Sequence, residues 1–347
     1  MPIHDVGYRS WRGALVPSWL RWWTLGETGC QLVFRSSWVK RLVFFAWLPV
    51  LYWGAGFFAA DRLITSYIER AADVSPLNER MFDEFGRPIA QMTAGEWLRN
   101  SGLSALPKLD VLVDSLERGD RTSARHAFWS WLLMTFFRYP QSTIVVFLLG
   151  FIVPPLIARD IRSKALLLYF SRPIGRREYM LGKLMIPAVY LVFVTVLPAL
   201  VLYVWGLSLA PDLTALWDTW DLPLRVIAAG LVLIIPTALL GLMLSSFTSE
   251  SRIASFAWFA LWALGLAAWF AVVLSRSGQY ARHVFDDPIV KNWESVSLFL
   301  SMGQVQSWIF GFESFAAIWP SFFSLLVVSL VSLVLLYRNI SRTAHGT

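Results

Sequence analysis

The chain has 347 residues, of which 56% are hydrophobic and only 15% are charged, and its formal net charge is +7. Soluble globular proteins carry about 25% charged residues, so this composition excludes that class and predicts an integral membrane protein. The single cysteine excludes an internal disulfide framework, and the four histidines lie too far apart in sequence for metal-ligand spacing.

The N-terminal part, residues 1–41, is predicted to be a cytoplasmic and interfacial segment. It has no compact apolar run with a small-residue cleavage site, so we expect no signal peptide. Residues 18–38 are predicted to form an amphipathic helix on the membrane surface, because polar residues recur at helical spacing while tryptophans fall elsewhere. Two interpretations stay open: a simple membrane anchor, or a helix beside a functional surface. The polar stripe consists of Arg21, Thr24, Thr28, Gln31 and Arg35.

Residues 42–347 are predicted to form an all-α transmembrane domain, because six apolar runs are long enough to cross about 30 Å of hydrocarbon. None of the six runs contains Asp, Glu, His, Lys or Arg. A protein that moves protons or ions by itself normally keeps such groups within the bilayer, so that class is disfavoured. The six runs are Leu42–Ala60, Gln141–Ala158, Leu184–Gly206, Val226–Phe247, Ile253–Ser275 and Phe315–Tyr337.

The segment 61–139 is predicted to be an external helical insertion, with capping-box spacing at Thr93-Ala94-Gly95-Glu96. It is either a structural linker or a dock for a partner protein. Its last apolar run, Ala127–Phe137, is too short to cross a membrane, and we expect Arg138-Tyr139-Pro140 to separate it, as an interfacial helix, from the second span. Before the last span, Ser297–Phe312 is predicted to be either re-entrant or a surface pair of short helices.

The distribution of Lys and Arg predicts the orientation in the membrane. Residues 1–41 contain six of them and the loop 159–183 contains seven, whereas the ten basic residues of 61–139 are balanced by eleven acidic ones. Because Lys and Arg accumulate in cytoplasmic loops, both termini and the loop 159–183 are expected on the cytoplasmic side. The net charge is therefore interpreted as an orientation signal and not as a nucleic-acid-binding surface.

The loop 159–183 is the most informative segment between spans. Residues from Asp160 to Tyr169 can form a short helix on the membrane surface, and Pro173 and Gly175 then break it. A second helix enters the bilayer at Gly182-Lys183. Such a helix–break–helix suits insertion into a groove of a partner protein, with apolar residues supplying contact area and arginines setting the register. A plain basic loop touching anionic lipid is the alternative.

The residues of this loop resemble the first cytoplasmic loop of ABC-2 type permeases, the membrane subunits of one class of ABC exporters. The matching features are Asp160 at the end of the second span, Leu166-Leu167-Leu168, Ser171-Arg172-Pro173, and Gly182-Lys183 at the start of the third span. A weaker match is the end of the fourth span, residues 240–247. The sequence departs from the family pattern in its longer external segment and in having Asp where many members have Glu.

The resemblance implies a permease subunit of an ATP-driven exporter, multi-pass in the cell (inner) membrane. It implies pairing with a second permease copy or a paralogue and with two ABC ATPase subunits. ATP and magnesium are then expected on the ATPases, and no cofactor on this chain. The apolar spans weakly suggest a hydrophobic or amphiphilic substrate. The residues expected to couple the chain to the ATPase are Asp160, Lys164, Leu167, Tyr169, Arg172, Pro173, Arg176, Gly182 and Lys183.

Other functions stay open with weaker support. The string from Gly175 to Gly182-Lys183-Leu184 lacks the spacing and the Ser or Thr of a phosphate-binding P-loop, so we expect no ATPase activity of the chain itself. A non-transporting membrane scaffold that docks partners through 61–139 is the main alternative. A membrane-embedded enzyme lacks clustered catalytic side chains. An ion-coupled transporter lacks intramembrane charges and visible repeat symmetry.

Overall fold

The computed structural model describes residues 17, 20–73, 121–171, 174–210, 214–277 and 287–344. These residues form helices and connecting turns, with no strand among them. The predicted capping box at Thr93–Glu96 lies outside the described residues. The α-helices are α1 (Arg21–Phe34), α2 (Ser37–Asp73), α3 (Arg121–Phe136), α4 (Ser142–Ile152), α5 (Pro154–Arg162), α6 (Ala165–Ser171), α7 (Arg176–Leu191), α8 (Leu197–Leu209), α9 (Thr214–Asp218), α10 (Leu222–Ser246), α11 (Ser251–Ser277), α12 (Pro288–Trp293), α13 (Leu298–Ile309) and α14 (Phe315–Ala344).

Six helical stretches in this part of the chain are long and apolar enough to cross a membrane, which confirms the predicted all-α membrane fold. Two of the stretches combine several helices, because π-helical turns, Phe137–Gln141 and Val192–Val196, join α3 to α4 and α7 to α8. We number the six stretches as spans 1 to 6. They are Ser37–Phe58, Thr122–Arg162, Arg176–Leu209, Leu222–Ser246, Ser251–Arg276 and Phe315–Arg342.

The predicted break at Arg138-Tyr139-Pro140 is wrong. The chain stays helical through these residues, and Ala127–Phe137 is the first part of the 41-residue span 2 instead of a separate interfacial helix. A proline has no N–H to donate, and the wider π turn that contains Pro140 accommodates this loss without ending the helix. Arg138 packs against Gly303 of α13, where a Cβ would lie 2.8 Å from its Nη1 atom, so the charged side chain has room inside the bundle.

At one end of the bundle, which we call the loop end, the loop 159–183 meets the turn between spans 4 and 5 and the end of span 6. The Arg162 guanidinium lies 3.5 Å from the Glu250 carboxylate, and the Asn339 amide donates to the Ser246 hydroxyl at 3.1 Å. Spans 2, 4, 5 and 6 are thus connected there by side chains as well as by packing. This connection positions the loop described below.

At the opposite end, which we call the far end, a polar cluster ties span 2 to the segment before span 4. The buried Arg125 guanidinium contacts the Asp218 carboxylate at 2.9 Å, and His126 Nε2 lies 3.0 Å from Asp221. Arg225 bonds both the Asp221 carboxylate, at 2.6 Å, and the Ile309 carbonyl, at 2.9 Å. The outer part of span 2 is therefore held by charged groups at this end.

Ser245 of span 4 stabilises a helix break in span 2. Its hydroxyl donates to the Pro154 carbonyl at 2.7 Å and accepts from the Ile157 and Ala158 amides at 3.2 and 3.1 Å. Amides in the first turn after a break lack helical partners, and a serine hydroxyl supplies them. Span 4 is the most buried span, whereas spans 1, 5 and 6 are largely exposed on the surface of the chain.

Before span 6, α12 and α13 form a pair of short helices; the segment predicted as such a pair, Ser297–Phe312, contains only α13, so the predicted bounds were wrong. Arg276, at the end of span 5, lies 3.7 Å from Asp287, which caps α12 through a hydrogen bond to the Ile289 amide. The apex of the pair reaches Gly265, halfway along α11, where a Cβ would lie 3.3 Å from Ser297 Cα. The pair therefore enters the bundle from the far end and returns to it.

Candidate functional site

The loop 159–183 folds as short helices separated by two turns. The helix expected from Asp160 to Tyr169 is interrupted, because α5 ends at Arg162 and α6 begins only at Ala165. Lys164 lies between them in the left-handed region, with φ of 54°. This conformation is strained for a residue with a Cβ and turns the chain sharply. The predicted break before α7 is present, with Gly175 at its N-terminus.

The start of α7 is capped by the side chain of Glu178, in the first turn of the same helix. The Gly175 amide donates to Glu178 Oε2 at 2.8 Å, and the Tyr179 amide donates to the Gly175 carbonyl at 3.0 Å. The Glu178 carboxylate thus satisfies the Gly175 amide, which has no helical partner, and the Tyr179 bond is the first of the helix. The start of span 3 is therefore set locally, independently of any partner.

A buried ionic group underlies the loop. Lys183 Nζ lies 2.7 Å from Asp160 Oδ2 and donates to the Leu156 carbonyl at 2.8 Å. The Tyr179 hydroxyl donates to the same carboxylate oxygen at 2.7 Å, and its ring lies 5.5 Å from Lys183 Nζ. The Asp160 and Lys183 side chains are only 15% and 10% exposed. This group joins the end of span 2 to the start of span 3.

Aromatic rings attach α6 to this ionic group. The rings of Tyr169 and Phe170 lie 5.6 and 5.9 Å from that of Tyr179, which is fully buried. Burial raises the pKa of Tyr169, and the negative charge of Asp160 raises it further, so this hydroxyl stays neutral at physiological pH. The aromatic cluster fixes the position of α6 relative to the two spans.

The outer face of α6 is apolar and open. Leu167 and Leu168 are 50% and 69% exposed, while the neighbouring Leu166 is only 1% exposed. Lys164 is exposed at one end of this face. Two adjacent exposed leucines, held on a rigid base beside a cation, are a suitable surface for a groove in a partner protein.

The predicted coupling residues thus divide into two groups. Asp160, Tyr169 and Lys183 belong to the buried base, while Lys164 and Leu167 lie on the surface. Arg176 is half-buried at the start of α7. Arg172 and Pro173 lie outside the described residues.

Sequence reasoning missed two residues of this site. Tyr179 was not selected, although it stands four residues before Lys183 and therefore shares its helix face. Leu168 was treated as part of a leucine-rich run, with no signal in the sequence to show that it would point outward while Leu166 points inward.

Gly182 serves the packing of α1 instead of the outer surface. A Cβ on Gly182 would lie 2.9 Å from the Trp22 carbonyl oxygen and 2.8 Å from Leu25 Cδ2, so only glycine allows α1 to approach this closely. Gly26 and Gly29 of α1 face Met185 and Ile186 of α7 in the same way. The predicted N-terminal helix is present over Arg21–Phe34 and lies beside the loop.

The residues of the predicted polar stripe are mostly exposed, as are the apolar residues Trp23, Leu32 and Phe34 of the same helix. Thr24, Thr28, Gln31 and Arg35 are exposed, and Arg21 is half-buried. No group of three or more His, Cys, Asp or Glu side chains with metal-binding geometry occurs within the described ranges.

Comparison with known proteins supports the resemblance noted from the loop. A family model described as ABC-2 family transporter protein matches residues 35–342, which is most of the chain and includes all six spans. A search among curated proteins finds no match.

Proposed function

Because the chain belongs to the ABC-2 transporter family, whose members are membrane subunits of ABC transporters, we propose that its loop 159–183 couples the spans to a separate ATPase. ATP and magnesium bind to that ATPase, and this chain converts the resulting movement into a change of access across the membrane. The observation that carries the proposal is the exposed pair Leu167 and Leu168 on a buried, ion-paired base.

The surface of α6 is suited to a groove in the ATPase. The exposed leucines supply apolar contact area, and the positive charge of Lys164 favours a groove whose edge carries acidic residues. We propose that the positive charges of Arg172 and Arg176 also favour an acidic groove. Hot spots of protein interfaces are few and central, so we assign the largest share of the binding energy to Leu167 and Leu168.

The base of the loop is suited to transmit movement. Asp160 and Lys183 join spans 2 and 3, and Arg162 and Glu250 connect span 2 to the turn before span 5. Ser245 holds span 4 against the break at Pro154. A displacement of α6 would therefore move several spans together as a rigid body, which is how packed helices respond to a local push.

The complete transporter is proposed to contain two ATPases and a second permease copy or a paralogue. Largely exposed spans 1, 5 and 6 offer apolar surface to lipid and to such a copy. The excess of Lys and Arg at the loop end favours the cytoplasmic side of the cell (inner) membrane for that end and for both termini. We propose export of a hydrophobic or amphiphilic substrate, in keeping with the apolar spans.

The proposal is tested by purifying the chain from its native membrane in mild detergent and asking whether an ATPase accompanies it. Leu167→Glu should weaken association by roughly 30-fold, the equivalent of about 2 kcal/mol for one interface hot spot. It should also reduce ATPase stimulation. The matched control is Leu216→Glu at the far end, because Leu216 is 46% exposed, much like Leu167.

Both variants should unfold at the temperature of the wild type, since neither leucine is buried. Equal association of the two variants with the ATPase would refute the role of α6. Purification of the wild type without any ATPase, under equally mild conditions, would favour the scaffold function through 61–139.

A further inference from the structure

A cavity of about 450 Å³ lies at the loop end between α1, the start of span 1, the end of span 2 and the start of span 3. Its volume falls in the range of about 300–1,000 Å³ that small-molecule sites occupy. One wall is apolar and is formed by Phe151, Ile152 and Pro155 of span 2. The opposite wall is mixed, with apolar Leu32, Val33 and Val39 beside the Ser36 hydroxyl, and the charged lining residues are Arg159 and the Asp160–Lys183 pair, which we call the floor.

The charge of this cavity comes from Arg159. Asp160 and Lys183 neutralise each other on the floor, and Lys183 is further occupied by the Leu156 carbonyl. Arg159 is exposed, and its guanidinium makes no ion pair or hydrogen bond with any residue that the structure describes. The cavity therefore has one positive charge that the protein does not compensate, which favours an anionic occupant.

The segment 35–41, which we call the rim because Ser36, Trp38 and Val39 line the cavity, contains further cations and an aromatic ring. Residues 35–41 contain Arg35, Lys40 and Arg41 and no acidic residue. Trp38 lines the cavity, and the Arg41 guanidinium lies 5.4 Å from its ring centre. Tryptophan and basic side chains favour the headgroup region of a bilayer, and α1 has the polar stripe of a helix lying at that level.

We propose that this cavity binds the phosphate-bearing headgroup of an anionic phospholipid. The phosphate lies against Arg159 and Ser36, and an acyl chain follows the apolar wall along span 2 toward the membrane. Phe147 and Phe151, which continue this wall, are 50% and 55% exposed, so the path toward lipid is open. A phospholipid satisfies both halves of the cavity at once, which neither a free phosphate nor an apolar compound does.

The expected difference in affinity between anionic and zwitterionic lipid follows from the basic side chains at the cavity. A basic residue close to anionic lipid contributes about fivefold to binding, so Arg159 and the rim together should favour anionic over zwitterionic lipid by more than tenfold. This inference does not depend on the ATPase proposal, because binding is measured on the purified chain alone. Failure of one proposal leaves the other untouched.

The test is native mass spectrometry of the full purified chain, titrated with phosphatidylglycerol and, separately, with phosphatidylcholine. The wild type should retain phosphatidylglycerol preferentially. Arg159→Gln should reduce this preference about fivefold, and Ser36→Trp, which fills the cavity without removing a charge, should reduce retention of phosphatidylglycerol. The matched control is Arg252→Gln, because Arg252 is also exposed at the loop end but lies outside the cavity.

Retention of both lipids to the same extent by the wild type would overturn the proposal. So would equal effects of Arg159→Gln and Arg252→Gln, since both results would indicate general attraction of lipid to a basic surface. Inorganic phosphate at the concentration of the lipid phosphate should not displace bound phosphatidylglycerol; efficient displacement would instead identify a site for the free anion.

Discussion

Replacement of Asp160 by asparagine removes one charge from the ion pair beneath the loop and leaves the shape of the side chain nearly unchanged. Lys183 is then left as a buried cation that has only neutral acceptors, the Leu156 carbonyl and the asparagine carbonyl, and no counter-charge. Tyr179 keeps an acceptor, because the asparagine carbonyl can take the place of the carboxylate oxygen at 2.7 Å. The change therefore tests mainly the Asp160–Lys183 interaction.

The expected loss in the free energy of unfolding is about 3 kcal/mol. Removal of one partner from a buried ion pair typically costs about 3–5 kcal/mol, because the remaining charge is desolvated and unpaired. The Asp160 side chain is 15% exposed, so some water reaches the pair and the lower end of that range applies. Lys183→Met should cost about 2 kcal/mol, since the Asp160 carboxylate keeps its bond from Tyr179.

The assay is equilibrium unfolding in mixed micelles of a mild detergent and dodecyl sulfate, with tryptophan fluorescence as the signal. Measurement of Asp160→Asn, Lys183→Met and the double variant completes a double-mutant cycle. The double variant should lose less than the sum of the single variants, with a coupling energy of about 2 kcal/mol, because the two residues are in direct contact.

The matched control is Glu250→Gln, which breaks the ion pair with Arg162 at the same end of the bundle. Those side chains are 49% and 56% exposed, and exposed pairs contribute about 0–1 kcal/mol. Losses of less than 1 kcal/mol for both buried variants, adding without coupling, would refute the reasoning. The base of the loop would then depend on aromatic packing and not on charge.

Two further predictions concern the packing of α1 and the far end. Gly182→Ala should destabilise the chain by about 1–3 kcal/mol in the same unfolding assay, because its Cβ would meet the Trp22 carbonyl. At the far end, the pKa of Asp221 is lowered from its ordinary value of 3.8, since His126 and Arg225 together outweigh the opposing effect of burial. The stability contributed by Asp221 is therefore present above pH 3.8 and is lost as the pH falls through the lowered pKa, which thermal unfolding between pH 5 and pH 2.5 will measure.

Each of these predictions has its own control. Gly175→Ala should not destabilise the chain, because the nearest atom to its Cβ would be 3.8 Å away. An equal loss at Gly175 and Gly182 would refute the steric explanation, since the lower backbone entropy of alanine in the unfolded chain by itself stabilises. In the acid series, Asp221→Asn should flatten the pH dependence. An acid limb as steep as that of the wild type would assign the transition to other carboxylates.

The six spans and the family could be predicted from the sequence, because both signals are local. A run of about 20 apolar residues is recognisable without knowledge of its neighbours, and the loop motif is contiguous. Which side of α6 faces inward could not be predicted, since Leu166, Leu167 and Leu168 are chemically identical. The packing of Tyr169 and Phe170 against Tyr179, on another helix, holds these rings inward, and Leu167 and Leu168 remain outside.

Span 2 shows why the predicted helix break at Arg138-Tyr139-Pro140 was wrong. Arg138 and Pro140 each disfavour a continuous apolar helix, and the sequence contains no signal for the compensating partners. The π turn accommodates Pro140, and the space beside Gly303 accommodates Arg138. Gly303 is more than 160 residues away in the chain. A break that is expected from composition is therefore removed by tertiary packing.

In the coupling that we propose, the same tertiary packing would allow the loop to move the spans. Span 2 is fixed at the far end by Arg125 and Asp218 and at the loop end by Asp160 and Lys183, and the break between these two points is held by Ser245 of span 4. A helix held in this way transmits a rotation along its length better than a helix that ends at a flexible joint. A displacement of α6 should therefore reach the far end of span 2. There Asp218 would have to move together with Arg125, or their contact of 2.9 Å would break.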